Sequence, residues 1–494
     1  MRLHQAISWP MALLVGWTVF LTGAQLWPLA APGMLLHRDM AVLPHPALSR
    51  AALGFGDLPA RNAPQDGVLA LLGQIVDATW VVRVLLLAAA LLGAYGAWCA
   101  AQVAKASTLG TWAAVTLTLC NPFLVERFLQ GHWSLNIAAV LLPGLVAWGR
   151  QSRPGLQLGA LWLCSLTPTG AVAGTLIALL FPACRRSKLA VFALLAACPW
   201  LIPSLLAPAT SSLAGATAFA ARAESPFGLL ASVVGLGGVW NSAAVPNSRT
   251  GLSVLAGVAL FIILLTTCRT VPRRLLALAG GALCAVCISA WIPSISTWLI
   301  THVPGCALFR DSHKLVIFVI PAYVFLAARL RGKWAAVALC LMLLQVWDAP
   351  GELQALRPAP VPDITHTLAQ QARNRDVFIP DAPTIVNHRG NAAVNPISKA
   401  VPLVEDGSLI VDGALIDTPS PRHAHATACW NAHDLTCLRQ LEIGLVLDHG
   451  HVIDLGGSPH RGWPFWLGLG LTVQWLALGP ACYALQQRRK FSAG

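Results

Sequence analysis

Long runs almost free of charge recur along this chain, and they restrict its fold more than any other feature. A helix needs about 20 mostly apolar residues to cross a bilayer. Twelve candidate spans approach or meet that length: 8–30, 79–102, 108–122, 132–149, 155–168, 169–184, 189–206, 251–268, 275–293, 314–330, 333–348 and 462–485. The short pair at 155–184 reads as two spans or as one broken element. Only 11% of the 494 residues are charged, against about 25% in soluble domains. A soluble enzyme and a disordered chain are both excluded. The net charge of +13 does not point to nucleic acid, because basic residues in a membrane protein report orientation instead.

Orientation follows from where those residues sit. With the amino terminus in the cytoplasm, Arg2, Lys105, Arg150, Arg153, Arg185, Arg186, Lys188, Arg269, Arg273, Arg274, Arg329, Arg331, Lys333, Arg488, Arg489 and Lys490 all fall inside, as the positive-inside rule requires. Both termini are then cytoplasmic. The first span reads as an anchor, since its apolar stretch exceeds a signal-peptide core and further spans follow. The expected fold class is an all-α polytopic membrane protein of about 12 transmembrane helices with a small extracytoplasmic α/β or β-rich domain. Residues 1–348 form the multi-span domain, with long outer loops at 31–78 and 207–250. Residues 349–461 form the outer domain, where Asp, Asn, His and Pro replace Leu and Ala. Residues 462–494 supply the last helix and a cytoplasmic tail. Most of the 13 cysteines lie in apolar spans, where a thiol behaves as a small hydrophobe. Cys429 and Cys437 are the two in the outer domain, on an oxidising side, and are expected to form a disulfide. Zinc is the rival reading, from nearby His423, His425, His433 and Asp434, but they have no recognised ligand spacing.

Three polar clusters lie at or near membrane depth, where ionisable groups are costly and commonly face a cavity. The first is His37-Arg38-Asp39, just past the first span. It reads as a solvated loop or as the place of a general base, since a carboxylate takes a proton from an attacking hydroxyl when geometry permits. The second runs from Asn121-Pro122 through Glu126 and Arg127 to Gln130-Gly131-His132-Trp133. Pro interrupts the helix there, while Trp at an interface needs no function. The third is Phe309-Arg310-Asp311-Ser312-His313-Lys314. Its Arg and Lys suit a phosphate at the membrane surface, by a forked contact and a point charge respectively. The plainer alternative is interfacial anchoring by snorkelling side chains. No Walker A sequence, His-Glu-x-x-His or Gly-x-Ser-x-Gly is present, so ATP-driven transport, zinc proteolysis and serine hydrolysis lack their usual signatures.

In layout, these three stretches resemble the GT-C class of membrane glycosyltransferases, particularly the multi-span envelope-biosynthesis proteins of mycobacteria and corynebacteria. The resemblance implies inverting transfer on the outer face of the plasma membrane from a polyprenyl-phosphate sugar donor to an envelope glycan or glycolipid. Asp39 stands where the class carries its usual catalytic acid, which makes it the expected general base, with Glu126 as a second acid. Arg38, Arg127, His132, Trp133, Arg310, Asp311, His313 and Lys314 complete the expected substrate-binding set, and Arg127, Arg310 and Lys314 would hold the donor phosphate. Many members show an acidic pair in the first loop, whereas Arg38 precedes the acid here, a departure that bears on metal dependence. No metal ligands are assigned, and whether a divalent metal takes part stays open. Expected partners are the sugar donor, the acceptor and the bilayer, with no nucleic acid. Two other readings remain: a multi-span transporter or lipid flippase, and a non-catalytic envelope assembly factor.

Overall fold

A computed structural model describes residues 9–206, 215–459 and 461–491, with side chains as far as Cys482. Arg2, the side chains of Arg488, Arg489 and Lys490, and positions 207–214 of the second outer loop lie outside the described residues. The fold is mostly helical, and among the described residues eight helical segments are long and apolar enough to cross a membrane. Of the expected twelve, those at 132–149, 155–168, 169–184 and 251–268 have no counterpart in this set, so the count of twelve is not confirmed. The spans expected at 155–168 and 169–184 are the helices Pro154–Cys164 and Pro168–Leu180. At a rise of about 1.5 Å per residue they reach only roughly 16 and 20 Å, short of a hydrocarbon core about 30 Å thick. Pro168 at the second helix's first position keeps the two from fusing, because Pro suits a helix start and not its interior. Ser253–Leu265, inside the expected span at 251–268, is also short.

The Trp133–Arg150 helix forms the central post, buried at every position from Trp133 to Gly149. A helix apolar on all sides must be surrounded. Its closest neighbour is the Ala78–Ala104 helix. A Cβ on Gly96 would lie 2.7 Å from the Gly144 Cα, and one on Gly93 would lie 2.8 Å from the Val140 oxygen. Small residues thus let two backbones meet where apolar surface alone gives no drive to associate in lipid. The rim is lipid-like: Val19, Val84, Leu87, Val191 and Leu194 are exposed on spanning helices. Arg83 ties the top of the Ala78–Ala104 helix to the end of the first, donating to the carbonyls of Leu29 (2.5 Å) and Ala31 (2.6 Å).

The 349–461 segment, the one expected outside the membrane, carries three small sheets. Strands β1 (Leu35–His37) and β2 (Met40–Val42) form a hairpin in the first outer loop. In the outer segment, β3 (Asp376–Phe378) runs parallel to β8 (Ile443–Asp448), which pairs antiparallel with β9 (His451–Asp454). Hairpins β4 (Ile385–His388) with β5 (Asn391–Val394), and β6 (Leu409–Val411) with β7 (Ala414–Asp417), complete the set. Arg38 bridges to Ala393, and Met34 to Ala359. Met34, Leu36 and Leu43 share one apolar core with Leu368, Val377, Val401 and Leu445. The first loop and the outer segment therefore fold as one unit, which fixes where the Arg38-Asp39 turn sits. Cys429 and Cys437 are joined by a disulfide.

Candidate active site

Asn121 closes one helix and opens the next. Its Nδ2 donates to the Leu117 carbonyl (2.8 Å), and its Oδ1 accepts from the Leu124 N–H (3.1 Å). One side chain thereby satisfies orphan groups at two helix ends. The Pro122–Leu129 helix that follows is buried along its length, and it projects Glu126 and Arg127 into the protein. Gly131, at φ +88°, then turns the chain into the central helix. No other residue fits there, because an added Cβ would lie 2.3 Å from the Met40 nitrogen and 2.6 Å from the His37 oxygen. The β1–β2 turn is thus pressed against Gln130 and Gly131, and the Asp39 N–H donates to the Gln130 carbonyl (3.2 Å).

In that turn Arg38 is left-handed, at φ +50°, a conformation costing about 1–2 kcal/mol outside Gly. Its guanidinium donates to the Ala243 carbonyl (2.6 Å) and the Asn391 Oδ1 (3.2 Å), so contacts on both sides hold the strained turn in place. Asp39 projects into a crevice with its side chain 45% exposed. Its Oδ2 accepts from the Gln130 Nε2 (3.0 Å) and lies 2.9 Å from the His132 Nε2. Crowding by protein raises the Asp39 carboxyl, but the contacts with His132 and Gln130 outweigh it and hold the group below its usual value.

Behind His132 lies a buried charge hub. Arg127 is fully buried and grips both oxygens of Asp311, at 2.5 and 3.0 Å. It also approaches the His132 Nδ1 (3.1 Å) and the His313 Nδ1 (2.7 Å). The guanidinium outweighs burial and keeps the Asp311 carboxyl well below the usual range. Removing one partner of such a pair typically costs about 3–5 kcal/mol. The His313 Nε2 stands 3.7 Å from the Glu126 Oε2, which accepts from the Val239 N–H (3.0 Å).

The structure sorts the expected site residues into three groups. Asp39 and Lys314 line the crevice, and Lys314, which is partly exposed, makes no hydrogen bond or ion pair among the described residues. His132, Arg127, Asp311, His313 and Glu126 form the hub behind it. The other three are turned elsewhere. Arg38 holds its own turn, and Trp133 is buried at the head of the central helix. Arg310 makes a forked contact with Asp417 of β7 at 3.0 and 3.0 Å and stacks over Phe219. Burial takes Arg127 and Glu126 out of direct reach of a donor or acceptor, and Arg310 is already engaged.

Sequence reasoning gave no role to Gln130, Arg61 or Asp417. Arg61 lies 3.9 Å from Asp417 beside Arg310, and burial followed by the Arg310 charge lowers its guanidinium to about 10. Also missed was the fully buried pair Glu224–Arg249 (2.7 Å), which supports the segment carrying Val239. In the sequence both look like solvated loop charges. For a divalent cation the crevice is a poor cage. Asp39 is its open carboxylate, with Lys314 and Arg61 close by, whereas such ions need several oxygen ligands. Elsewhere, Cys429 and Cys437, near His425, are committed to the disulfide.

Among known proteins, no family model and no curated protein sequence matches the chain. A solved structure does: the single-particle cryo-EM structure of the arabinofuranosyltransferase AftD from Mycobacteria, at TM-score 0.51 and 17% identity, covering 91% of this chain and 35% of that one. At that identity the likeness is one of fold, to a protein described as a mycobacterial arabinofuranosyltransferase. The chain spans about a third of the length of that structure.

Proposed function

We propose that this multi-pass membrane protein is a glycosyltransferase that moves a sugar from a polyprenyl phosphate to a hydroxyl of an envelope glycan or glycolipid. The crevice would open on the outer face of the plasma membrane, with both termini cytoplasmic. One observation carries the reading. A half-exposed carboxylate has one oxygen held by Gln130 and His132 and the other without a protein donor, and an unpaired lysine stands in the same crevice.

Asp39 Oδ1 takes the proton of the acceptor hydroxyl as that oxygen bonds to the anomeric carbon. The bond from that carbon to the phosphate oxygen breaks, and its electron pair leaves with the polyprenyl phosphate. A single displacement inverts the anomeric centre. Phosphate leaves readily, so one base with cationic stabilisation of the departing charge is enough. Lys314 supplies that charge, while Arg310 and Arg61 add positive potential from their shared carboxylate. Arg127 and Glu126, expected to touch substrate, act instead from behind as supports of His132 and His313. The likeness of fold to an arabinofuranosyltransferase makes a polyprenyl-phosphate arabinofuranose the first donor to try.

The test uses the full chain in nanodiscs with radiolabelled polyprenyl-phosphate pentose and hexose donors and an oligosaccharide acceptor. Label moving to the acceptor supports the proposal. Redistribution of the intact donor between the leaflets of reconstituted vesicles, without transfer, overturns it in favour of a flippase.

A further inference from the structure

We infer that Arg127 is a positioning residue that fixes the tautomers of two histidines and thereby sets the direction of the hydrogen bond to Asp39. The inference deepens the reading of Asp39 as the base and rests on it. Arg is always charged and offers donors only, five N–H groups in a planar fork. Four of them are placed: Nη1 faces Asp311 Oδ2 and His132 Nδ1, while Nη2 faces Asp311 Oδ1 and His313 Nδ1. The fifth, on Nε, has no partner. The inner hydrogens of the fork go to the carboxylate and the outer two to one imidazole each.

A donor at 3.1 Å from His132 Nδ1 requires a lone pair on that nitrogen. His132 is therefore neutral, with its proton on Nε2. That proton points at Asp39 Oδ2, 2.9 Å away, so His132 donates to the carboxylate. The same reasoning at 2.7 Å gives His313 a lone pair on Nδ1 and a proton on Nε2, which stands 3.7 Å from Glu126 Oε2 and makes no hydrogen bond among the described residues.

The consequence reaches the chemistry. With Nδ1 occupied by Arg127 and Nε2 already protonated, His132 has no site for the proton that Asp39 collects. The proton stays on Asp39 Oδ1 until product leaves. The arrangement differs from a relay in which a histidine takes the proton, and it leaves Oδ1 as the oxygen of the base open to the acceptor hydroxyl. The charged groups facing His132 are Asp39, Lys314, Arg127 and Asp311. Three of the four belong to elements other than its own loop and helix.

The test is side-chain NMR of the full chain in nanodiscs, labelled with nitrogen-15 histidine. His132 and His313 are assigned by the signals lost in His132→Gln and His313→Gln. Between about pH 5 and 8, where histidine ordinarily titrates, both rings are expected neutral with the proton on Nε2. A His132 ring that is charged at pH 7, or protonated on Nδ1, overturns the inference without any variant. Arg127→Lys keeps a donor-only group and is expected to preserve the His132 signal. Arg127→Met removes the donor and frees the Nδ1 lone pair, so it is expected to let His132 take a second proton and to give the transfer rate a new bend near neutral pH. An unchanged His132 signal across that range in folded Arg127→Met overturns it as well. Asp39→Asn tests the base assignment separately, so the two claims fail independently.

Discussion

Gly131 is the hinge on which the placement of Asp39 depends, and Gly131→Ala measures that dependence. An alanine Cβ would lie 2.3 Å from the Met40 nitrogen and 2.8 Å from the Asp39 nitrogen. Non-bonded carbon contacts settle near 3.5 Å, so the β1–β2 turn must retreat by about 1 Å. The positive φ of +88° adds about 1–2 kcal/mol for any L side chain. A retreat of that size breaks the contacts of 3.0 and 2.9 Å that orient the Asp39 carboxylate. Misplacing a reacting group by about 1 Å costs roughly 100-fold in rate. Initial rates of label transfer, with thermal melting followed in the same detergent, read both effects. Gly159→Ala is the control, since nothing lies within 4 Å of its Cβ. It should transfer normally and melt no lower, because Ala outranks Gly in a helix interior. A Gly131→Ala variant with the parental rate and melting temperature would refute the account of the turn.

Two further outcomes follow from single residues. Lys314→Met removes the crevice's unpaired cation, and a charge-assisted contact is worth about 1.5–3 kcal/mol. The donor KM should rise about 10- to 100-fold with the acceptor KM little changed; equal shifts in both would discount phosphate binding by Lys314. In the outer unit, burial raises the Glu405 carboxyl against the pull of Lys399, and Asp57 and Asp66 add to it, taking it from 4.5 to about 7. The folded chain then keeps a proton that the unfolded chain releases. The stabilisation is complete below about pH 4.5 and is lost as pH rises through about 7. Thermal unfolding of the full chain should show this fall, and Glu405→Gln should flatten it; an unchanged slope in the variant would place the titration elsewhere.

Hydropathy located most of the spanning helices, because lipid-facing side chains and apolar helix interiors are both written as composition. It named more candidates than the eight where apolar helices are short or set inside the protein. Pro154–Cys164 and Pro168–Leu180 pack beside the central post, and no property of their residues tells protein contact from lipid contact. The Asn121-Pro122 break was readable from local chemistry alone. The crevice was partly readable, since a cluster of charges beside apolar runs is costly wherever it lies. Which charge pairs with which was not readable. Arg127 meets Asp311 across 184 positions and Arg310 meets Asp417 across 107. Such pairings follow from helix packing and from the fold of the outer unit. The likeness of fold to AftD shows the same division, with an architecture kept at an identity too low for residue-by-residue comparison.

Asp39→Asn keeps the side chain's size and removes its capacity to take a proton. Its rate of sugar transfer at saturating donor and acceptor, in protein that melts with the parent chain, is therefore the measurement to make. Loss of a positioned base should lower that rate by about 100- to 10,000-fold while donor binding is retained. A variant transferring within about threefold of the parent would contradict Asp39 as the base, since a group that carries the proton cannot be dispensable.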